Sequence, residues 1–496
     1  MKFSIRYYQD IFALASGFLF TLAFAPYDYA YLAPLGLVLL FASWQNCSPL
    51  RAFLRGYLFG LSSFGIGVWW VYISIHDFGG ADSISASLLT ALFIVFWSLF
   101  PALAGLLCVI VRTRLSLVIT PLIWILIEYF RGIMLLNGFP WLLAAYSQLA
   151  TPLSGYIPIL GAYGTGFLLA MTASAIVFIM QHPRHRKALG AGLAVLWTAG
   201  YFLQSIQWTQ PIGAPFRVAI VQGSISQDKK WRPENRLNTL LLYKKLTEEN
   251  WGVKVIIWPE TAIPAYLSQV QDFLLTPLNQ AAQQHDTDLI VSLPIEGEKE
   301  HEIYNGAITL GKHNGRYLKN HLLPFGEYMP LQPLSGFILK SLSIDMGDFT
   351  PGGGQQPLMT AGGYPFITSI CYEDAFGDVA INGISQAAYL VNLTNDAWFG
   401  DSVEPHQHLQ IARMRAMETG RFMLRSTNTG ITAVIGPDGK IIQQAPLFTT
   451  TVLTESVTPM GGMTPYAHWG DKPIILIFAI GFVVLLIANR LIYGRN

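Results

Sequence analysis

Two patterns of apolar and polar positions divide this chain. Up to residue 206 the apolar runs are long and rarely broken; beyond it they are short and alternate with polar stretches. Seven long runs lie near residues 11–28, 31–46, 56–75, 86–111, 115–131, 157–181 and 188–206, and an eighth near 473–489. Each approaches the roughly 20 residues that cross about 30 Å of hydrocarbon as a helix. The runs at 31–46 and 115–131 are the shortest, so tilted or re-entrant segments are alternatives there. The first run also carries a cleavage-like Ala23-Phe24-Ala25, but Pro26 directly after it argues against a signal peptide. The pattern predicts a membrane domain of seven transmembrane helices over 1–206, a domain outside the hydrocarbon over 207–471, and a final transmembrane helix with a short tail over 472–496.

Within 207–471 the short apolar runs read as strands at Arg217–Gln222, Lys254–Trp258, Asp288–Leu293, Phe366–Cys371, Tyr389–Leu393 and Ile431–Ile435. Polar helical stretches such as Glu234–Asn250 and Asp272–His285 lie between several of them. Short strands alternating with helices predict a layered α/β fold. Pro437-Asp438-Gly439 is a turn signal between Ile431–Gly436 and Lys440–Gln443, which predicts a hairpin.

Composition sharpens this division. Charged residues are 12% of the 496, against about 25% in soluble domains. A purely soluble protein is nearly excluded, and disorder is excluded by the same apolar excess. Residues 1–206 hold 15 charged side chains, residues 207–471 hold 43, and three follow. A net charge of +1 offers no basic field for nucleic acid. With a cytoplasmic amino terminus and alternating spans, the inside segments hold Lys2, Arg6, Arg51, Arg55, Arg112, Arg114, Arg184, Arg186, Lys187, Arg490 and Arg495. The short outside loops hold only Arg131, so the positive-inside rule predicts both termini inside and the 207–471 domain outside. Cys47, Cys108 and Cys371 are far apart and form no CxxC, which is neither a disulfide framework nor a zinc site.

Two strand-like runs end in reactive residues, Trp258-Pro259-Glu260 and Cys371-Tyr372-Glu373. Strand carboxyl ends are where ligand crevices form in open α/β folds. Cys371 is either a small buried hydrophobe or a nucleophile that needs a base or a cation nearby. Glu260 among apolar neighbours would have a raised pKa suited to that base. Lys319 would stabilise a thiolate or oxyanion if it lay close, and would be an ordinary solvated lysine otherwise.

Glu260, then Lys319 eight residues before Glu327 in Pro324-Phe325-Gly326-Glu327, then Cys371 stand in that order. In this set the chain resembles the nitrilase, or carbon–nitrogen hydrolase, superfamily. The resemblance implies an α-β-β-α sandwich with a Glu-Lys-Cys triad at Glu260, Lys319 and Cys371. Further runs resemble its membrane-bound, lipoprotein-acylating branch: Val221-Gln222-Gly223, Asn395-Asp396-Ala397-Trp398-Phe399-Gly400, Arg425-Ser426-Thr427-Asn428, Gly430-Ile431-Thr432-Ala433-Val434, and Gly138-Phe139-Pro140-Trp141 after the fifth span.

That branch moves an acyl chain from a phospholipid to the α-amino group of diacylglyceryl-cysteine in an apolipoprotein. The resemblance implies a ping-pong thioester on Cys371, with Glu260 as base and Lys319 (with the Tyr372 backbone N–H) at the oxyanion. Glu327 would orient Lys319 or Glu260, and Tyr372, Glu373 and Trp231 would support them. It implies no cofactor and no metal. The implied partners are a phospholipid donor, a diacylated apolipoprotein acceptor and the lipid bilayer. It also implies a bacterial inner-membrane location with a periplasmic catalytic domain, and the sequence demands no more than a monomer.

Eight spans exceed what an anchor needs, which suggests a lipid-entry chamber. Trp69, Trp70 and Trp141 would line that portal or belong to an interfacial aromatic belt. Glu128 and Arg131 are spaced as an i,i+3 pair near the outer end of the fifth span. His406 and His408 lack the spacing of a zinc motif, and Gly352-Gly353-Gly354 reads as a flexible loop. A membrane-tethered amidase would share the triad. A transporter is disfavoured by spans nearly free of charge.

Overall fold

The computed structural model describes residues 2–111, 115–134, 136–330 and 348–493. Of the cations used above for orientation, Arg112, Arg114 and Arg495 lie outside the described residues. The chain forms two compact units. One comprises Met1–Tyr72, Ser83–Ile206 and Trp469–Asn496; the other comprises Ile73–Asp82 and Gln207–His468.

In the first unit, eight helices of 12 residues or more occupy the eight apolar runs: Lys2–Thr21, Leu32–Ser43, Pro49–Gly67, Ser83–Ile110, Ser116–Ile133, Ile157–Gln181, Arg186–Leu203 and Asp471–Tyr493. Length and apolarity alone qualify four of the described helices to cross a membrane, ending at Ile110, Ile133, Gln181 and Leu491. A fifth span arises if Pro49–Gly67 and Val71–Phe78, bent by 59°, count as one. The expectation of eight spans is therefore met in helix position but only in part by length and hydropathy. Leu32–Ser43, at 12 residues, is too short to cross alone.

Small residues set the helix packing. A Cβ on Gly56 would lie 2.2 Å from the Pro101 carbonyl oxygen, and one on Gly60 would lie 2.7 Å from the Ser98 Cα. Glycine thus lets Pro49–Gly67 and Ser83–Ile110 approach backbone to backbone. Arg55, counted as a loop cation, is buried within its helix, where Nε donates to Asp10 at 2.9 Å. The spacing of Glu128 and Arg131 predicts a mutual pair; the two charges do attract each other, and each also reaches the loop that follows. Arg131 Nη1 donates to the Phe139 and Trp141 carbonyls at 2.7 and 2.8 Å, and the Ala144 N–H donates to Glu128 at 3.0 Å. Trp141 is thereby folded inward, edge-on to buried Trp70 at 5.4 Å, while Trp69 is exposed.

The second unit is built on two six-stranded sheets. The strands, in chain order, are β1 (Gln210–Pro211), β2 (Phe216–Gln222), β3 (Val255–Ile257), β4 (Asp288–Glu296), β5 (Ile303–Leu310), β6 (Gly315–Leu318), β7 (Met359–Ala361), β8 (Tyr364–Ile370), β9 (Tyr389–Thr394), β10 (Met423–Thr427), β11 (Ala433–Ile435), β12 (Ile441–Gln444), β13 (Thr451–Val457) and β14 (Met460–Gly461). The first sheet runs β13-β2-β3-β4-β5-β6 and the second β12-β11-β10-β9-β8-β7; β1 and β14 pair by themselves. Each large sheet has three central parallel strands, β2-β3-β4 and β8-β9-β10, flanked by antiparallel ones.

Side chains alternate across each strand, and both faces are covered. Val218, Ile220, Val255 and Ile257 of one sheet meet Phe366, Ile370, Val391 and Leu393 of the other in one apolar core. The opposite face of the first sheet packs Val221, Ile256 and Leu289 under Leu240, Tyr243 and Leu278 of the helices Pro233–Glu248 and Thr276–Gln284. Ala412 and Ala416 of helix Glu404–Thr419 cover Ile367, Leu390 and Met423 of the second. The layers are α-β-β-α. All six expected strands exist, and β11 and β12 form the expected hairpin. The pattern missed β5, β6, β10, β13 and helix Glu404–Thr419, whose faces mix polar and apolar residues.

Leu393 is fully buried between the sheets. Leu393→Ala should destabilise the second unit by about 2–5 kcal/mol, seen as a lower thermal unfolding midpoint of the full-length protein in detergent.

Candidate active site

The three residues of the expected triad leave the carboxyl ends of three strands. Glu260 follows β3, Lys319 follows β6 and Cys371 follows β8. Each is placed by its own local structure. Trp258 anchors the Glu260 segment by donating Nε1 to Thr247 Oγ1 at 2.9 Å. Lys319 is fixed by its backbone N–H, which donates to the Asn305 carbonyl at 2.8 Å. Cys371 opens a 3-10 turn, Cys371–Ala375, with φ +53. A non-glycine residue in that left-handed region costs about 1–3 kcal/mol and is held only by its surroundings.

Lys319 is the centre of the charge arrangement. Its buried ammonium lies 2.7 Å from Glu327 Oε2 and 3.9 Å from Glu260 Oε1. Asn305 bridges the two carboxylates, donating from Nδ2 to Glu260 at 2.8 Å and to Glu327 at 2.9 Å. The Leu323 N–H donates to Glu327 Oε2, the oxygen that Lys319 also binds, at 2.8 Å. Burial works against the Lys319 charge, but Glu327 and Glu260 outweigh it and raise its pKa. Burial raises the pKa of Glu260, opposed by Lys319 and reinforced by Glu327. Burial and then Glu260 push the Cys371 thiol up to about 12, with Lys319 opposing. The resting thiol is therefore protonated beside a carboxylate of raised basicity and a permanent cation.

Glu373 ties the turn of Cys371 to the segment of Lys319. Its carboxylate accepts from the Ile370 N–H at 2.8 Å on one side. On the other it accepts from the Asn320 and His321 N–H groups at 2.8 and 3.0 Å and from the Tyr317 hydroxyl. Tyr372 is buried, its ring packed against Phe376 and His321. Trp231 stands outside this cluster and is half exposed.

Several residues that sequence reasoning missed belong here. Lys230, next to Trp231, is buried and donates Nζ to the Glu260 carbonyl at 3.1 Å. Burial lowers its pKa to about 8, with Glu260 and Cys371 opposing. Asn305 was detectable only as a polar residue on a buried strand. Behind the cysteine turn, His408 places Nε2 at 2.9 Å from Asp374 and Nδ1 at 3.0 Å from Asp396. Arg425 reaches the same two carboxylates at 3.3 and 3.1 Å. Burial and Arg425 lower the His408 pKa, but Asp374 and Asp396 overcome them and raise it well above the usual value. Asp396, Glu404 and His408 bring donor atoms within 4.8 Å of one another, close enough for a metal ion. The charges there are already balanced, because Arg425 and protonated His408 face Asp374 and Asp396. Burial and Asp396 push Glu404 up to about 7. The cluster reads as an ionic network in which Glu404 Oε2 and Arg425 Nε have no hydrogen-bond partner among the described residues.

A sandwich of this topology, with a carboxylate, a lysine and a cysteine gathered at its strand ends, is that of a carbon–nitrogen hydrolase. The Carbon-nitrogen hydrolase family model matches residues 217–462, and the Apolipoprotein N-acyltransferase N-terminal domain model matches residues 16–175. The chain is 47% identical to the apolipoprotein N-acyltransferase of Methylococcus capsulatus over 97% of this chain and 96% of that one. It is 39% identical to that of Coxiella burnetii over 95% and 98%. Among solved structures, a Saccharomyces cerevisiae member of the nitrilase superfamily aligns with 49% of this chain and 90% of its own, at 18% identity and a TM-score of 0.37. The chain belongs to the apolipoprotein N-acyltransferase family.

Glu327 raises the basicity of Glu260 and secures Lys319. In Glu327→Gln the acid limb of Cys371 alkylation by iodoacetamide, followed against pH, should move to lower pH as the Glu260 pKa falls. The plateau rate should fall with it. An unmoved acid limb would show that Glu260 does not govern the thiol.

Proposed function

We propose that this protein transfers an acyl chain from a phospholipid to the α-amino group of diacylglyceryl-cysteine at the amino terminus of an apolipoprotein. The observation that carries the reading is the convergence of Glu260, Lys319 and Cys371 in a chain of this family. Cys371 Sγ attacks the ester carbonyl of the phospholipid and its proton passes to Glu260. The oxygen that becomes negative is met by the Lys319 ammonium, whose three donors include one already given to Glu327. The carbon–oxygen bond breaks, Glu260 returns the proton to the lysophospholipid, and a thioester remains on Cys371. The neutral lipoprotein amine then attacks the thioester. Glu260 takes its proton, the carbon–sulfur bond breaks, and the thiol is restored as the amide forms.

A thiol held near pKa 12 is not a standing thiolate, so proton removal accompanies attack on a bound carbonyl. Glu327 and Asn305 are the groups that keep base and cation aligned, and Glu373 and Tyr372 hold the cysteine turn against them. Lipid substrates fit a chain whose first unit carries several helices apolar enough to span a bilayer. In this reading eight spans leave both termini in the cytoplasm of a bacterial inner membrane and the 207–471 domain in the periplasm. Trp69, Trp70 and Trp141 contribute to the lipid approach.

Intact mass of the purified protein after exposure to phospholipid vesicles should increase by one acyl chain. That adduct should be absent in Cys371→Ala and should be discharged by a diacylated lipopeptide. Release of ammonia from small amides with no acyl adduct would favour a tethered amidase instead.

A further inference from the structure

The strained backbone at Cys371 needs a holder, and the structure supplies one that the triad does not include. Asn392, fully buried on β9, donates from Nδ2 to the Cys371 carbonyl at 3.3 Å and to Ser369 Oγ at 3.1 Å. Its Oδ1 accepts from Arg425 Nη1 at 2.6 Å. Guanidinium nitrogens only donate, so Arg425 forces the amide oxygen toward itself and the amide N–H toward the cysteine carbonyl. Arg425, on the neighbouring strand β10, is held by Asp374 and Asp396. Both of those are bonded to His408 of helix Glu404–Thr419. Asp374 lies in the same 3-10 turn as Cys371.

The chain of contacts therefore begins and ends in the cysteine turn. It enters through the Cys371 carbonyl and returns through the Asp374 carboxylate. Both ends are anchored to Arg425, which is itself locked in register by the parallel pairing of β9 with β10. We propose that Asn392 is a positioning residue for Cys371, oriented by Arg425, and that it keeps the cysteine in the left-handed conformation that presents its thiol to Glu260 and Lys319. The proposal rests on the reading of Cys371 as the nucleophile. Without the Nδ2 donor the turn relaxes toward ordinary backbone angles and the sulfur withdraws, while substrate contacts elsewhere are untouched.

Asn392→Asp separates this role from a general structural one. The carboxylate still accepts from Arg425 but offers no donor to the Cys371 carbonyl. In the full-length protein in detergent, the thermal midpoint should fall, because a buried carboxylate oxygen then faces the Cys371 carbonyl, while circular dichroism should show the folded state at the assay temperature. The rate of Cys371 alkylation by iodoacetamide, read by peptide mass, should fall about tenfold or more. Single-turnover formation of the acyl adduct from phospholipid should slow by a similar factor with KM within about twofold. Asn392→Ser, which is smaller and keeps a hydroxyl toward Arg425, should show the same slow alkylation should the Asp variant misfold. Unchanged alkylation and acylation in a folded variant would overturn the proposal. Wild-type protein that forms no adduct, yet still loses thiol reactivity on Asn392→Asp, would sink the acyl-transfer reading while leaving the positioning role intact. A normal adduct in both proteins would do the reverse.

Discussion

Everything at this site depends on one buried ammonium. Removing a lysine head group from water costs several kcal/mol, and the cost is offset only when opposite charges lie close and their remaining valences are satisfied. Lys319 meets that condition through Glu327 at 2.7 Å and Glu260 at 3.9 Å. The unequal distances divide the work. Glu327, bonded to the Leu323 N–H as well, is the structural counter-ion. Glu260 is held more loosely by Lys319, and burial makes it more basic than an ordinary carboxylate. Burial, and after it the Glu260 carboxylate, push the adjacent thiol up, and the Lys319 ammonium offsets only part of that. The resting Cys371 thiol is therefore protonated. A thiol in that state also resists oxidation, which follows thiolate character.

The cysteine turn is clamped from two sides by consecutive residues. Glu373 points toward the first sheet and binds the backbone beside Lys319, while Asp374 points the other way into the network of His408, Asp396 and Arg425. One clamp ties Cys371 to the segment of Lys319. The other ties it to helix Glu404–Thr419 and strand β10. Both use buried carboxylates, the first on backbone N–H groups and the second on His408 and Arg425, so solvent screens them little. The turn has little freedom left, which is what a residue at φ +53 requires.

Much of this was legible in the chain. Strands such as Tyr389–Thr394 announce themselves because both faces are buried, giving continuous apolar runs. The order and spacing of the motifs pointed to Glu260, Lys319 and Cys371, and the fold brings these three to neighbouring strand ends. β5 and β6 were not, because Asn305 and Arg316 interrupt the apolar pattern and an inward asparagine looks like a loop residue until its carboxylate partners are known. The role of His408 was not legible because the sequence does not show that Asp374, 34 positions away, lies against it, or that Arg425 joins them through Asp374 and Asp396. In the first unit the apolar runs located the helices, yet Glu128 and Arg131 were paired by spacing alone. The folded loop at 139–144 adds hydrogen-bond partners for both of them to the attraction between the two.

The candidate site is drawn from both layers of the sandwich. Glu260 and Lys319 follow strands of one sheet and Cys371 follows a strand of the other. The gap between Glu260 and Cys371 is therefore bridged across the space between sheets, about 10 Å from backbone to backbone. That gap is set by the apolar side chains between them, among which Ile257, immediately before Trp258, meets Ile370, immediately before Cys371, in the same cluster. The last inward-facing residues of β3 and β8 are thus also core residues. A misplacement of about 1 Å can cost 10²-fold in rate, so the packing at Ile257 and Ile370 bears on chemistry as directly as it bears on stability. The polar clamps fix the direction of the cysteine turn, and the core fixes its distance from the base.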